Sequence, residues 1–181
     1  MKIRTLPDQK YLQECFDYNP HTGILVWGDR PAHHFKTLTA FKTFNKRSKG
    51  KAAGSMNGHG RRVVSVIKGE QFIAARVIWK MVTGDDPPDF IDHENQIKDD
   101  NRWSNLRAAT KAQNEYNTGA RKNSKTGYKN VCFSSREKLY RAYITKDRKQ
   151  YHLGYYPSPE LAHAAVVAAT PTYHGAFSYT T

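Results

Sequence analysis

The chain has 181 residues, with 29 Lys and Arg against 16 Asp and Glu, and a formal net charge of +13 at pH 7. Such an excess favours a polyanionic partner, and nucleic acid is the commonest one. The hydrophobic fraction of 38% is enough to bury an interior and excludes a disordered basic tail. The only two cysteines, Cys15 and Cys132, exclude a disulfide framework and a cysteine-built zinc finger.

The sequence also argues against a membrane protein. It has no apolar run long enough to span a bilayer, and the first ten residues lack the apolar core of a signal peptide. We therefore expect a soluble protein that stays in the cytoplasm and makes no membrane contact.

The first sixty residues predict one helix, one strand and a loop. Tyr11, Leu12, Cys15 and Phe16 recur at helical spacing and predict an amphipathic helix over residues 7–19. The turn Asn19-Pro20-His21-Thr22-Gly23 leads into a strand over residues 24–27. Residues 33–60 show little periodicity and predict a mobile basic loop. We expect the wider basic block, residues 30–69, to follow DNA, and a solubilising surface is the alternative.

The rest of the chain alternates between short strands and helices. Residues 62–67 and 71–75, joined by Lys68-Gly69-Glu70, predict a hairpin, and residues 76–83 predict a helix. A polar, basic linker over residues 119–126 follows the central segment. Beyond it come three predicted strands and one helix, over residues 128–133, 139–145, 150–155 and 161–169.

The positive charge is divided into two blocks. Residues 1–90 contain 15 basic and 8 acidic residues, and residues 111–150 contain 11 and 3, whereas residues 91–110 contain 3 and 4. No acid lies between Asp29 and Glu70, yet four acids lie within residues 92–100. In a chain suited to phosphates, this acidic cluster suggests a metal cation, and a solvated acidic turn is the alternative.

The central segment contains a set of residues suited to phosphodiester hydrolysis. Asp92-His93 ends an apolar run, Asn105 stands twelve residues after His93, and Asn114 stands nine further on. A capping box of Thr110 and Gln113 predicts a helix that begins at Thr110 and carries Asn114 in its first turn. The segment therefore predicts a strand–loop–strand–helix unit that brings its two ends together.

Each member of this set has a predicted role. The carboxylate of Asp92 and the amide oxygen of Asn114 are hard donors, which favour Mg²⁺, with Mn²⁺ able to substitute, over zinc. His93 is suited to activate water as the general base, and Asn105 could hold the backbone or the imidazole in place. Because adjacent residues of a regular strand point to opposite faces, we expect the strand to end or bulge at Asp92-His93.

Asp92-His93, Asn101-Arg102, Asn105-Leu106-Arg107 and Gln113-Asn114 resemble the motif of HNH endonucleases, the ββα-metal nucleases, in the His-Asn-Asn form of phage and homing enzymes. The resemblance implies metal binding by Asp92 and Asn114, a catalytic His93 and a structural Asn105. It also implies products with 5′-phosphate and 3′-hydroxyl ends. Two departures are Ala75-Arg76, where relatives often carry His-Arg, and the altered loop over residues 94–98. Either departure could reduce activity.

The predicted C-terminal strands have one apolar and one basic, aromatic face. Val131, Phe133, Tyr140, Ala142, Ile144, Tyr151 and Leu153 alternate onto the first face. Gly127-Tyr128-Lys129-Asn130-Val131, Tyr140-Arg141-Ala142 and His152-Leu153-Gly154-Tyr155-Tyr156 resemble the Apetala2/ethylene-response-factor type of DNA-binding domain. A small structural sheet is the alternative interpretation. The predicted DNA-binding residues are Arg76, Lys98, Arg107, Arg121, Lys122, Lys125, Lys129, Arg141, Tyr143, Gln150 and His152.

Together these patterns predict an α+β protein. An HNH core with N-terminal hairpins and helices occupies residues 1–118, followed by the linker and an Apetala-type domain, residues 127–181, whose three-stranded antiparallel sheet packs on one helix. We expect a metal-dependent homing-type endonuclease acting on double-stranded DNA, as a monomer or weak dimer in a bacterial or phage-infected cell. A catalytically inactive DNA-binding protein is the alternative. His33, His34 and His59 are predicted to be loop or phosphate contacts rather than ligands of a second metal.

Overall fold

The protein is described by a computed structural model that covers residues 5–67 and 69–178. The expected mixed α+β class is confirmed: this covered part contains small antiparallel sheets and five α-helices. The chain divides into two compact units, Met1–Ala108 and Ala109–Thr181. The helix predicted to begin at Thr110 therefore belongs to the second unit. The domain limits predicted from the sequence, 1–118 and 127–181, remain a prediction.

The first unit begins with helix α1, Gln9–Cys15, followed by an antiparallel hairpin of β1, Phe16–Tyr18, and β2, Leu25–Trp27. Asp8 starts α1 by accepting a hydrogen bond from the backbone N–H of Tyr11 at 2.7 Å. The helix is shorter than the predicted 7–19 because Phe16 is extended and pairs with Trp27. The side chain of Asn19 accepts bonds from the next turn's backbone and so closes the hairpin.

The prediction of a mobile loop over residues 33–60 is wrong. Helix α2, Leu38–Ser48, occupies the middle of this segment, and Thr37 caps it by accepting from Ala40 N at 3.1 Å. Phe44 packs edge-on against Trp27, with ring centroids 5.1 Å apart. The helix places Lys42, Lys46 and Arg47 on a rigid element, so the basic segment has a defined shape.

The hairpin predicted over residues 62–67 and 71–75 is present, but its strands are shorter than predicted. Strand β3, Ser55–Met56, pairs with β4, Arg62–Val64, which also pairs with β5, Phe72–Ile73. Lys68 of the predicted turn lies outside the described residues. Helix α3, Ala74–Thr83, then buries Ala75, Val77 and Ile78, and it ends at Gly84, whose φ of 83° suits a left-handed helix end.

The segment that carries the candidate site has two short strands and a helix. Strand β6, Phe90–His93, and strand β7, Leu106–Ala109, form a two-stranded sheet. Helix α4, Lys111–Tyr116, follows, and the predicted capping box is confirmed at its start. Ile91 and Leu106 anchor the two strands in the apolar core of the first unit, which α1 and α3 also line.

The second unit contains β8, Val131–Ser134, β9, Leu139–Lys146, and β10, Lys149–Tyr156, in the antiparallel order β10-β9-β8. Helix α5, Pro159–His174, packs on this sheet through a core of Val131, Ala142, Ala162 and Val166. Phe133 was expected to face that core, yet it is 53% exposed. The helix is also longer than the predicted 161–169.

Where the structure describes the chain, none of its helices combines the length and the apolar character that crossing a bilayer requires.

Candidate active site

Asp92 and His93 are the last two residues of β6, and both are buried. Oδ2 of Asp92 accepts hydrogen bonds from Arg107 on the neighbouring strand, from Nε at 2.8 Å and from Nη2 at 2.7 Å. Arg107 was predicted to contact DNA, but here its guanidinium orients the carboxylate and compensates its buried charge. The strand ends at His93, as expected, because residues 94 and 95 form a turn.

His93 is held in one orientation by the loop that follows it. Its Nε2 lies 3.2 Å from Oδ1 of Asn101. Because the amide nitrogen of Asn101 donates to Asp99 O at 3.3 Å, Oδ1 is the acceptor and the ring proton belongs on Nε2. The other ring nitrogen, Nδ1, is then the one with a lone pair that can accept a proton.

The electrostatic surroundings of His93 keep it neutral. Burial lowers its pKa below the ordinary value of 6.5, and the positive charge of Arg61 acts in the same direction. The hydrogen bond to Asn101 and the charge of Asp92 act in the opposite direction without reversing the shift. A neutral imidazole at physiological pH is the form that a general base requires.

Asn105 fixes the loop between the two strands. Its Oδ1 accepts from Asn95 N at 2.9 Å, and its Nδ2 donates to Asn95 Oδ1 at 3.0 Å and to Asp100 O at 2.7 Å. Its backbone oxygen also accepts from Glu94 N at 3.0 Å. A single buried amide therefore connects both ends of the loop that carries Asn101.

Distant parts of the first unit hold the same loop. The guanidinium of Arg62 forms two bonds to the carboxylate of Asp99, at 3.0 and 2.9 Å, and the hydroxyl of Tyr18 donates to Asn101 O at 2.8 Å. Gly23 lies directly against the backbone of Asn101 and Arg102, where a Cβ would collide. Sequence reasoning assigned no role to Tyr18, Arg62 or Asn101, and only the resemblance at Asn101 offered a signal.

Asn114, the other predicted metal ligand, lies half-buried in the first turn of α4. Oγ1 of Thr110 accepts from Gln113 N at 3.2 Å, and Gln113 Oε1 accepts from Thr110 N at 2.8 Å. The position of Asn114 is thus fixed within the second unit. A carboxylate and an amide are donors that fit a hard divalent cation, although Arg107 already engages one oxygen of Asp92.

Two basic residues predicted to bind DNA contact the first unit's backbone instead. Arg76 donates to Pro88 O at 2.7 Å and to Pro87 O at 3.3 Å, and so ties α3 to the segment before β6. Lys98 donates to His59 O at 3.3 Å. Ala75, where relatives often carry His, is 2% exposed and packs in the core.

The predicted DNA-binding residues of the second unit fall into two groups. Arg121, Lys122 and Lys125 are exposed in the linker. On the sheet, Arg141 lies 5.3 Å from the ring of Tyr143, while the pairings Gln150 with Thr145 and His152 with Tyr143 put these side chains on one face. A cleft of about 650 Å³ is lined by members of both groups, among them Arg121, Tyr143 and Gln150.

Lys129 differs from the other predicted DNA contacts. Its ammonium donates to Glu115 O, Tyr116 O and Thr118 O at 2.8, 2.7 and 2.7 Å, which closes the C-terminal end of α4. Burial lowers the pKa of Lys129 to about 8. A contact between Lys129 and DNA would require the ammonium to leave these carbonyls.

Comparison with protein families gives a match over the segment that contains the candidate site. The family model described as HNH endonuclease matches residues 73–116, which include α3, both strands of the site and α4. The match supports an HNH endonuclease domain in this segment and indicates a nuclease of the HNH kind, for which DNA is the implied substrate. Searches of curated proteins and of solved structures gave no match.

Proposed function

We propose that this protein is a metal-dependent DNA endonuclease of the homing type. The observation that carries the proposal is the buried His93, whose Nε2 is held by Asn101 and which directly follows the buried Asp92 at the end of β6. The loop around it is fixed by Asn105, and all four residues lie inside the segment that matches the HNH model.

In this proposal each residue of the candidate site has its own role in the reaction. Nδ1 of His93 accepts a proton from the water that attacks phosphorus. Asp92 and Asn114 would hold Mg²⁺, or Mn²⁺ in its place, and the cation would neutralise charge at the phosphate and at the leaving 3′-oxygen. Arg107 orients the Asp92 carboxylate. The products are a 5′-phosphate and a 3′-hydroxyl.

In this proposal the second unit binds double-stranded DNA. Its sheet presents Arg141, Tyr143, Gln150 and His152 on one face, and its linker exposes Arg121, Lys122 and Lys125. Planar and bidentate side chains on a small sheet suit the major groove, and flexible cations suit phosphates. This arrangement supports an Apetala-type DNA-binding domain that gives a nuclease of phage or mobile elements its affinity and part of its specificity.

The test is cleavage of supercoiled plasmid by the full chain with Mg²⁺, with Mn²⁺ and with chelator. We expect metal-dependent cleavage that falls at least about a hundredfold in His93→Ala, in line with the loss of a general base. His21→Ala is the matched control, because His21 is an exposed histidine in the turn between β1 and β2 and has no predicted contact with DNA or metal. Gel-shift affinity in chelator should be the same for all three proteins.

Folded protein that binds the plasmid tightly but leaves it intact with either metal would overturn the proposal. That result would support the catalytically inactive DNA-binding protein instead. Where cleavage occurs, sequencing the product ends gives the target. The ratio of nicked to linear product against protein concentration separates a monomer from a weak dimer, because paired cuts need two sites.

A further inference from the structure

We propose a second metal site, outside the candidate active site, in which Glu14, His33 and His34 bind a divalent transition metal of the zinc class. The three residues come from the last turn of α1 and from the short 3-10 turn Ala32–His34. The inference does not depend on the proposed nuclease activity, because none of these residues belongs to the HNH-matched segment.

The ligand atoms already converge on one point. Nε2 of His34 lies 2.8 Å, and Nε2 of His33 lies 3.2 Å, from the same oxygen, Oε2 of Glu14. All three atoms lie within 4.8 Å of one another. Zinc bonds of about 2.0–2.1 Å in a tetrahedron separate neighbouring ligand atoms by roughly 3.3 Å. Only small side-chain shifts are therefore needed to admit an ion.

Packing fixes the central ligand before any metal arrives. The side chain of His34 is 1% exposed, and its ring stacks on Tyr11 with centroids 4.1 Å apart. Its other nitrogen, Nδ1, lies 3.7 Å from Sγ of Cys15 and accepts a hydrogen bond from Nε of Arg30. With a metal on Nε2, Nδ1 would carry the ring proton and Sγ of Cys15 would be its acceptor, and ligating histidines are usually oriented by such a bond from the nitrogen that does not bind the metal.

The positive and the negative group next to His34 lie at opposite edges of its ring. Arg30 Nε lies 3.4 Å from Nδ1 of His34, so this cation sits at the edge of the ring opposite to the ligating nitrogen. The carboxylate of Glu14 lies at the ligating edge. Rings of Trp27, Phe35 and Phe44 surround the guanidinium of Arg30 at 5.0 to 5.8 Å, which holds it away from the ion position.

The orientation of His33 is the most informative contact. Its side chain is 68% exposed and its ring meets the ring of His34 edge-on, with centroids 4.6 Å apart, and in this orientation its Nε2 faces the carboxylate oxygen that His34 also contacts. The exposed side leaves room for water as a fourth ligand. Two imidazoles and one carboxylate favour zinc, cobalt or nickel over Mg²⁺, which takes oxygen ligands.

An ion at this site would join α1 to the turn that precedes α2. Residues 30–51 include Lys36, Lys42, Lys46, Arg47, Lys49 and Lys51. A metal would therefore fix the start of the basic segment on the helix that lines the core of the first unit. The expected consequence is added stability of the first unit rather than a second catalytic centre.

The experiment titrates the metal-free full chain with Co²⁺ and Zn²⁺ and compares the wild type with His33→Ala, Glu14→Gln and the control His59→Ala. We expect one equivalent of Co²⁺ with the visible spectrum of a tetrahedral site in the wild type and in His59→Ala. Loss of a hydrogen-bond partner of a ligand weakens metal binding by roughly 10–100-fold, so loss of the ligand itself should weaken it at least as much.

Melting temperatures separate binding from folding. Metal-free His33→Ala should melt like the metal-free wild type, because the side chain it removes is exposed. Zn²⁺ should raise the melting temperature of the wild type and of His59→Ala but not of His33→Ala. The proposal is overturned if the wild type binds no Co²⁺, or if His33→Ala and Glu14→Gln bind it as tightly as the wild type does.

Discussion

Asn105 has no acid–base chemistry of its own, yet its side chain fixes the loop that orients the imidazole of His93. The amide spans the loop from Asn95 to Asp100, and the next residue, Asn101, bonds to the ring of His93. Asn105 therefore orients the ring of His93 indirectly, through this loop. A change at Asn105 acts on the loop first and on the imidazole second.

Asn105→Ala should lower the cleavage rate while DNA affinity measured in chelator stays close to that of the wild type. The substitution removes three hydrogen bonds of a buried amide, and we expect a loss of about 2 kcal/mol in the free energy of unfolding. Urea denaturation and single-turnover cleavage measure the two effects. The exposed Asn123→Ala is the control, and an equal rate in both variants would contradict the role of Asn105.

The predicted site residues lie on short, locally specified segments, which is why the sequence could indicate them. Asp92-His93 ends an apolar strand, and Thr110 with Gln113 marks a helix start within four residues. The partners Tyr18 and Arg62 were not predicted, since each lies far from the loop in the chain. Their bonds to Asn101 and Asp99 depend on how the elements pack, which periodicity does not report.

At the scale of elements, helix α4 is held from its C-terminal side. Three carbonyls at and beyond its last turn accept from Lys129, and the ring of Tyr116 stacks on His174 at 3.8 Å with 5° between the planes. A helix of six residues has little stability of its own. The C-terminal sheet and α5 therefore supply the support of the helix that carries Asn114.

Lys129→Met should destabilise the second unit by about 2 kcal/mol, because hydrogen bonds from a charged donor contribute roughly 1.5–3 kcal/mol and their acceptors stay partly buried. If Asn114 binds the metal, the variant should also need more Mg²⁺ for half-maximal cleavage. Thermal unfolding and a Mg²⁺ titration measure these effects. Lys125→Met removes an exposed linker lysine, so matching behaviour in that control would argue against the role of Lys129.

His174 gives the second unit a dependence on pH. Its Nε2 bonds to Thr145 O at 2.9 Å, but burial lowers its pKa below the ordinary 6.5, and Lys129 and Lys146 act in the same direction. The unfolded chain then binds more protons than the folded one, so this contribution to stability is full above pH 6.5. It is lost as pH falls from 6.5 through the folded pKa.

We expect the free energy of unfolding to decrease between pH 7 and acidic pH, and His174→Gln to reduce that slope. Denaturant titrations at a series of pH values provide the measurement. His152→Gln, which replaces an exposed histidine of the same unit, serves as the comparison. An identical slope in wild type and His174→Gln would show that other groups cause the acid sensitivity.

The mispredicted loop over residues 33–60 has a physical cause. In α2 the apolar residues Leu38, Phe41 and Phe44 are separated by polar and basic ones, so the helical period is weak, and packing against Trp27 supplies what the pattern lacks. Tertiary contacts override local preference in this segment.

For the whole molecule, the basic residues that make up the charge excess differ in whether they already bond to groups of the protein. Several cations are already engaged: Arg62, Arg76, Arg107 and Lys129 bond to carboxylates or carbonyls. The exposed linker cations Arg121, Lys122 and Lys125 are better placed to meet phosphates. Net charge predicted the class of partner, but only the hydrogen bonds separate structural cations from those on open surface.

Replacing Arg121, Lys122 and Lys125 with Gln should weaken DNA binding and flatten its salt dependence. Each phosphate contact that is lost should reduce the slope of log affinity against log salt by about 0.9. Fluorescence anisotropy over a series of salt concentrations tests this. Lys10→Gln changes one exposed lysine outside the predicted interface, and an effect in that protein of about a third of the triple variant's would mean that the cations act only through total charge.

The contacts that stabilise α4 can form only late in the synthesis of the chain. Lys129 and His174, which hold this helix, lie after it in the sequence. A ribosome-bound chain that already includes every residue of the HNH-matched segment still lacks the contacts that stabilise its last helix. If Asn114 is a metal ligand, full activity arises only when translation has passed α5, so premature termination products should cleave poorly even though they contain the whole motif.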